Sequence, residues 1–267
     1  MLPLFIMRIL ITGGTGLIGK ALCSALIDRG HEVFVLSRNP KRAREILPSA
    51  ISTLSYTDNL PSFEIIVNLA GASISKRFLT EKRLLQIEKS RLDLIDYLYF
   101  AKRNDPPALF IQASAITMDD SCFSKICSKV EKKASKRFAM TKVANVRFAT
   151  VLSPKGGLLY YLSYLPKLNF LNGMNYVPFI TLYDCISALE IVIEKQLTDV
   201  VDICSDYQLN LQNLILHYQK SKILNIFSLP LIKELLLLDK RGSLLLIDKK
   251  IKPKKLIENS MNFTNLI

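Results

Sequence analysis

Arg8-Ile9-Leu10-Ile11-Thr12-Gly13-Gly14-Thr15-Gly16-Leu17-Ile18-Gly19 decides how the rest of the chain is read. Arg8 to Thr12 is short, apolar and ended by glycine, the pattern of a buried strand. From Leu17 to Arg29 the spacing is helical, with Leu17, Ala21, Leu22, Ala25 and Leu26 on one side and Gly30 placed to end the helix. The glycines therefore lie in a strand–turn–helix context, where each has a physical use. Gly13 permits a tight turn, Gly16 lets a pyrophosphate approach the backbone, and Gly19 allows close helix packing. The helix start then offers free N–H groups and partial positive charge to an anion. A bare βα turn without a ligand is the plainer alternative, but it needs fewer glycines.

Outward from this turn, strands and helices alternate. Strands are expected at Glu32–Leu36, Glu64–Leu69, Ala108–Ala113 and Val143–Val151, and helices at Lys41–Leu47, Glu81–Arg103 (with Thr80 as N-cap) and Ser121–Arg137. That alternation implies βαβ units, hence a Rossmann-type α/β fold: a doubly wound parallel sheet covered on both faces. The dinucleotide-binding domain is expected over residues 1–153. Beyond it the pattern loosens, with an aromatic-rich stretch at Leu158–Leu165, a helix at Asp184–Glu194 and a strand at Val200–Cys204. Residues 154–267 are expected to form a smaller, substrate-side C-terminal lobe.

The chain of 267 residues is 49% hydrophobic and 22% charged, a globular composition that excludes a disordered or collagen-like chain. Cys23, Cys122, Cys127, Cys185 and Cys204 lack CxxC spacing, and only His31 and His217 are imidazoles, so no metal site is expected. The odd cysteine count suits a reducing, cytoplasmic compartment. No run is long and apolar enough for a membrane span, and Met1–Ile11 lacks the flanks of a signal peptide; Met7 reads as an alternative start. The net charge of +13 is concentrated toward the C-terminus, with ten basic and four acidic residues from Lys220 onward. A solvated lysine-rich surface accounts for this charge as well as an anionic partner does, whether nucleic acid, an anionic membrane surface or an anionic ligand. Lys249–Lys255 has no interleaved aromatics or nucleic-acid motif, which argues against a nucleic-acid partner.

The second strand ends in Ser37-Arg38-Asn39-Pro40-Lys41-Arg42. No carboxylate stands where an NAD site holds the ribose 2′-OH. Arg38 and Ser37 suit a 2′-phosphate instead, so NADP(H) is favoured over NAD(H), against the alternative of a solvated basic loop.

With these residues in hand, the chain resembles the short-chain dehydrogenase/reductase superfamily, and within it the atypical NAD(P)-dependent epimerase-like family whose members carry a C-terminal DUF1731 segment and include proteins labelled cell-division inhibitors. The resemblance runs from Met7 to about Phe263. Its carriers are Met7–Gly19, Val67–Ala72 (VNLAGA), Thr80–Arg83 with Ser90-Arg91, Phe179–Asp184 and Lys252–Leu256, the last within a DUF1731-like segment at about 220–267. It implies that Gly13, Gly14, Thr15, Gly16, Leu17, Ile18 and Gly19 hold the pyrophosphate and Ser37 and Arg38 the 2′-phosphate. Leu69, Ala70 and Gly71 would line the adenine and ribose side, with Arg91 near the cofactor. Ser114 matches the superfamily's active-site serine. The implied chemistry is hydride transfer or nucleotide-sugar epimerisation on a small-molecule substrate.

This sequence also departs from the superfamily. Its Tyr-x-x-x-Lys pair, in which the lysine lowers the tyrosine pKa for proton exchange, is replaced by Phe123 and Cys127. Thr117-Met118-Asp119-Asp120 stands where this family has Gly-Tyr-Tyr-Gly, the loop after Ser114 is short, and Thr181 replaces a family histidine. A catalytically impaired NADP(H)-binding sensor or regulator is thus the alternative. Replacement candidates have plain readings: Ser114 as a strand-end cap, Asp119 and Asp120 as solvated turn residues, Tyr160, Tyr161 and Tyr164 as packing residues, and Cys127 as an inert thiol.

Overall fold

The computed structural model describes residues 6–74, 79–154, 175–210, 213–214 and 247–264. Strands β1 (Arg8–Thr12), β2 (Glu32–Leu36), β3 (Ser52–Leu54), β4 (Ile65–Asn68), β5 (Leu109–Ala115), β6 (Lys142–Phe148) and β9 (Asp199–Ile203) form one sheet in the order β3-β2-β1-β4-β5-β6-β9. Every pairing in it is parallel. Two further strands, β7 (Thr150–Leu152) and β8 (Phe179–Thr181), pair with each other. Such a sheet must be dry on both sides, and the sequence supplies this: all four residues of β4 are buried, as are Ile9 to Thr12 of β1.

Helix α1 (Leu17–Asp28) and α5 (Leu182–Glu194) pack on one face with the short α2 (Pro40–Ile46) and α6 (Lys254–Glu258); α3 (Glu81–Lys102) and α4 (Cys122–Arg137) cover the other. Alternation along each strand sorts the side chains: Ile9 and Ile11 go to the first core, Leu10 to the second. The fold is the doubly wound Rossmann type. The sheet draws on the chain on both sides of residue 154, because β9 is its seventh strand and α5 packs over α1.

Several elements differ from the sequence pattern. β5 runs two residues further than expected, so Ser114 sits inside a strand, opposite Arg147. The apolar run Val143–Val151 is two strands: at Ala149 the N–H bonds to the Ile203 carbonyl, and at Thr150 it bonds to Pro178, which leads the chain into the second sheet. The three-residue β3 at the sheet edge is too short to give a periodic signal. Among the described residues no helix is long and apolar enough to cross a membrane. Leu158–Leu165, with Tyr160, Tyr161 and Tyr164, lies outside them.

Helix α1 ends as its sequence implies. Gly30 takes φ +82°, its N–H bonds to Ile27 O, and the His31 N–H reaches back to Leu26 O. A Cβ on Gly30 would meet nothing within 4 Å, so only the backbone conformation demands glycine. Gly30→Ala should therefore lower stability by about 1 kcal/mol, read as a shift in urea midpoint at unchanged slope.

His31 is buried; its Nδ1 accepts the Met7 N–H at 3.3 Å, and its Nε2 has no partner among the described residues. Burial, aided by nearby Arg29 and opposed by Glu194 and Glu190, holds its pKa below the ordinary 6.5. The unfolded chain thus binds the proton more readily. The stability that neutral His31 confers is present above about pH 6.5 and is lost as pH falls through the folded-state value. Between about pH 7.5 and about pH 5.5 the wild-type urea midpoint should fall further than that of His31→Gln.

Candidate dinucleotide site

The strand order reverses between β1 and β4, and a parallel sheet holds ligands in the crevice that opens there, beyond the carboxyl ends of its strands. The glycine turn leaves β1 at this point. Gly13 has φ +74°, and a Cβ on it would lie 2.9 Å from Ala70 N and from the Leu69 carbonyl carbon. The exit of β4 therefore passes directly against the turn. Thr12 fastens the two: its Oγ1 accepts the Ala70 N–H at 3.2 Å and donates to Asn68 Oδ1 at 2.6 Å, while Asn68 Nδ2 donates to Gln112 Oε1 at 2.8 Å. Thr12, Asn68 and Gln112 are in register across β1, β4 and β5 and fully buried.

Gly14 and Gly19 are also sterically required. A Cβ on Gly14 would strike Val35 at 2.6 Å, and one on Gly19 would lie 2.3 Å from Gly13 O. Gly19 lets α1 close on the turn itself. Gly16 differs, since its Cβ would meet only Gly13 O, at 3.2 Å. It opens α1 with no side chain to cap the first turn, and no acidic residue stands there. By contrast α2, α3, α4 and α5 are capped by the side chains of Asn39, Thr80, Ser121 and Thr181. The first-turn N–H groups of α1, around Leu17 and Ile18, are the ones left for an anion. The chain fits a dinucleotide pyrophosphate here, with Gly13, Gly14, Thr15 and Gly16 forming the rim.

At the end of β2, Ser37 Oγ accepts the Asn39 N–H at 3.2 Å. Arg38 is exposed and has no ion pair among the described residues; Tyr56 is close enough to feel its charge, and the Tyr56 ring packs on Tyr97 at 4.9 Å. After β4, Leu69, Ala70 and Gly71 run beneath α3. A Cβ on Gly71 would lie 2.7 Å from Arg91 Cζ, so the guanidinium rests on the glycine. Arg91 Nη1 donates to the carbonyls of Ala72 and Ile87 at 3.3 and 3.0 Å, and burial lowers its pKa. No carboxylate neutralises it among the described residues.

Ser114 is half-buried at the carboxyl end of β5, on the α4 side. Its Oγ donates to Glu131 Oε1 at 2.5 Å. Glu131 is held in turn by Arg147, Nε to Oε1 at 2.8 Å and Nη2 to Oε2 at 2.7 Å. Reading the sequence alone missed both residues. Their signals were a third position in the series Phe123, Cys127, Glu131, one turn apart, and a lone charge inside an apolar strand. Phe123 is buried in the core between α3, α4 and the sheet. Cys127 lies near Ser114 and Arg91, but burial outweighs them and raises its thiol pKa; burial takes Cys23 and Cys204 to about 12.

Asp119 pairs with Lys249 at 2.7 Å, and Lys249 Nζ also donates to Thr117 O, so the short loop after β5 is tied to the C-terminal segment. Asp120 takes φ +57° in that turn. Within the basic segment, Lys250 covers the Tyr176 ring at 4.0 Å and Lys255 donates to Thr198 O. A cavity of about 400 Å³ lies elsewhere, between the end of α4 and the amino ends of β6 and β9, and touches none of the glycine-turn residues. No metal-ligating cluster occurs among the described residues.

The glycine turn, the open helix start and the strand order define a protein of the doubly wound Rossmann class. Within that class the chain belongs to the NAD dependent epimerase/dehydratase family, whose model matches residues 9–168. The epimerase family protein YfhF of Bacillus subtilis is 31% identical over 175 residues, 57% of each chain. Human epimerase family protein SDR39U1 is 31% identical over 173 residues, again 57% of each. The matched stretch thus spans little more than half of these relatives. Among solved structures, human SDR39U1 (isoform 2) with NADPH superposes with TM-score 0.80 at 23% identity, covering 97% of this chain and 96% of that one. Thermus thermophilus UDP-glucose 4-epimerase, in complex with NAD, gives 0.73 at 15% identity, covering 96% and 94%.

Gly19→Ala should cost about 1–3 kcal/mol in urea unfolding, because backbone must shift to admit the methyl. Gly16→Ala, with one contact to relieve, should unfold within about 0.5 kcal/mol of wild type.

Proposed function

We propose that this chain binds NADP(H) in the crevice beyond β1 and β4 and passes a hydride between it and the hydroxyl or carbonyl carbon of a small substrate. The observation that carries the reading is the bare start of α1: free N–H groups over Gly16, at the switch point, while α2, α3, α4 and α5 have side-chain caps. Gly13 to Gly19 would hold the pyrophosphate, and Leu69, Ala70 and Gly71 the adenine and ribose side. Arg91, partly buried and without a counter-ion among the described residues, would face the cofactor. Ser37 and Arg38 would take a 2′-phosphate, since β2 ends without a carboxylate, and this favours NADP(H) over NAD(H). The NADPH complex of human SDR39U1 supports the cofactor class. When bound, the nicotinamide supplies the redox chemistry; the chain orients the partners and moves the proton. A nucleotide sugar is the substrate class that the family name suggests. The reading assigns residues 154–267, with a DUF1731-like segment at about 220–267, to the substrate side, and places the protein in the cytoplasm on its cysteine usage.

A second reading, a dinucleotide sensor without turnover, is favoured by one observation. Phe123 and Cys127 replace the tyrosine and lysine, and Phe123 is committed to the core. Hydride exchange with any alcohol or carbonyl substrate separates the two.

Isothermal titration of NADPH and NADH against wild type and Arg38→Ala tests the cofactor site. Wild type should prefer NADPH, and Arg38→Ala should weaken NADPH by about 10–100-fold while leaving NADH unchanged. Failure of both nucleotides to bind would refute the reading.

A further inference from the structure

We propose that Glu131 is the proton acceptor for a substrate hydroxyl and works through the hydroxyl of Ser114. The inference rests on the hydride-transfer reading above and assigns the proton, which that reading leaves without an acceptor. In the step, the substrate O–H bond breaks and its proton joins Ser114 Oγ, while Ser114's own proton passes to Glu131 Oε1. The carboxylate becomes a carboxylic acid and serine is regenerated. The O–H electron pair stays on the substrate oxygen, and the matching C–H pair is the hydride of the proposed function.

Three observations carry this. The first is the direction of the hydrogen bond. An ionised carboxylate accepts only, so the 2.5 Å contact points the Ser114 proton at Glu131; the Cys127 thiol is a second hydrogen-bonding neighbour of the serine oxygen, and a lone pair remains to accept another proton. The second is rigidity. Glu131 is buried, and both its oxygens are held by Arg147, which fixes Oε1 under Ser114 without a tyrosine or a lysine. The third is position. Ser114 is partly exposed at the carboxyl end of a central strand, two strands from the glycine turn.

The surrounding charges suit a proton that must come and go. Ser114, Arg147 and Asp202 stand in register across β5, β6 and β9, and the guanidinium that binds Glu131 also feels the charge of Asp202. Burial raises the Asp202 pKa, with Glu131 adding to the rise and Arg147 and Lys255 opposing it. Cys127, one turn earlier on α4, faces Ser114, Glu131 and Arg147, with Arg91 of α3 beyond it. A purely structural buried ion pair would need the Glu131–Arg147 contact but not the serine.

The test uses the full chain as wild type, Ser114→Ala, Glu131→Gln and the double variant. Three quantities are read: NADPH affinity by fluorescence, the Glu131 carboxyl carbon resonance of the unliganded chain by carbon-13 NMR, and NADP+ reduction across pH with a panel of secondary alcohols that includes uridine-diphosphate sugars. We expect NADPH affinity within about twofold in all variants and a moved Glu131 resonance in Ser114→Ala. Each single variant should lose about 100-fold in rate and the double no more, because the two residues act in one path. The wild-type rate should fall on the acid side, and that limb should vanish in Glu131→Gln. Should Glu131→Gln fail to fold, Ser114→Ala decides, since it leaves the ion pair intact. A Ser114→Ala rate equal to wild type, or an acid limb that persists in Glu131→Gln, overturns the relay alone, whereas dinucleotide binding with no alcohol oxidised favours the sensor reading and removes the relay together with hydride transfer. Absence of dinucleotide binding by wild type removes the hydride-transfer reading itself, and the relay with it.

Discussion

The hydroxyl of Thr12 is the fastening on which the candidate site depends. It accepts a backbone N–H from the loop after β4 and donates to Asn68, which donates to Gln112. The three side chains lie with essentially no solvent access, where an unmade hydrogen bond would cost the full desolvation of its group. This row therefore joins three strands at the edge where they stop, and it holds the Leu69–Ala70 backbone against Gly13. Gly13 must lack a side chain because Thr12 brings that backbone so close. The crevice and the turn are consequences of one packing arrangement.

Around this frame the charges divide by location. Arg38 stands in solvent at the far end of β2, and Arg91 is withdrawn under the β4 loop among carbonyls. An arginine held only by carbonyls keeps its positive field for whatever enters the crevice, whereas one chelated by a carboxylate does not. Arg147 illustrates the second case, since both its bonds to Glu131 are charge-assisted. Arginines not neutralised by carboxylates thus stand after β2 and β4, while the carboxyl end of β5 carries the Glu131–Arg147 pair.

Much of the fold was legible in the sequence because it rests on local signals. Five apolar runs, a glycine turn, helical spacing and a helix cap at Thr80 place β1, β2, β4, α1, α3 and α4 to within a residue or two. The runs could not show where a strand changes partner. Val143–Val151 reads as one element because its apolar residues continue, yet at Ala149 the chain trades β9 for β8 as hydrogen-bonding neighbour. The glycine requirements at positions 13 and 19 followed from the motif, and the distances supply the reasons; that at Gly14 depends on Val35 of the neighbouring strand and did not. Glu131 and Arg147 stayed hidden for a different cause. A glutamate on a lysine-rich helix looks solvated until the strand behind it is known to present an arginine, and that pairing spans sixteen residues across two elements.

The bond between Lys249 and the loop at Thr117 and Asp119 joins residues about 130 positions apart, and β6 waits for β9, whose first residue lies some fifty positions on, before its edge is closed. Contacts of such range are the last a chain can make and slow its folding. During synthesis β6 is therefore an open strand edge carrying Arg147 among apolar neighbours, a surface on which another chain can add a strand. The charge of Arg147, whose side chain stays part-exposed, disfavours burial in a foreign sheet and so opposes such association before the native partners have emerged.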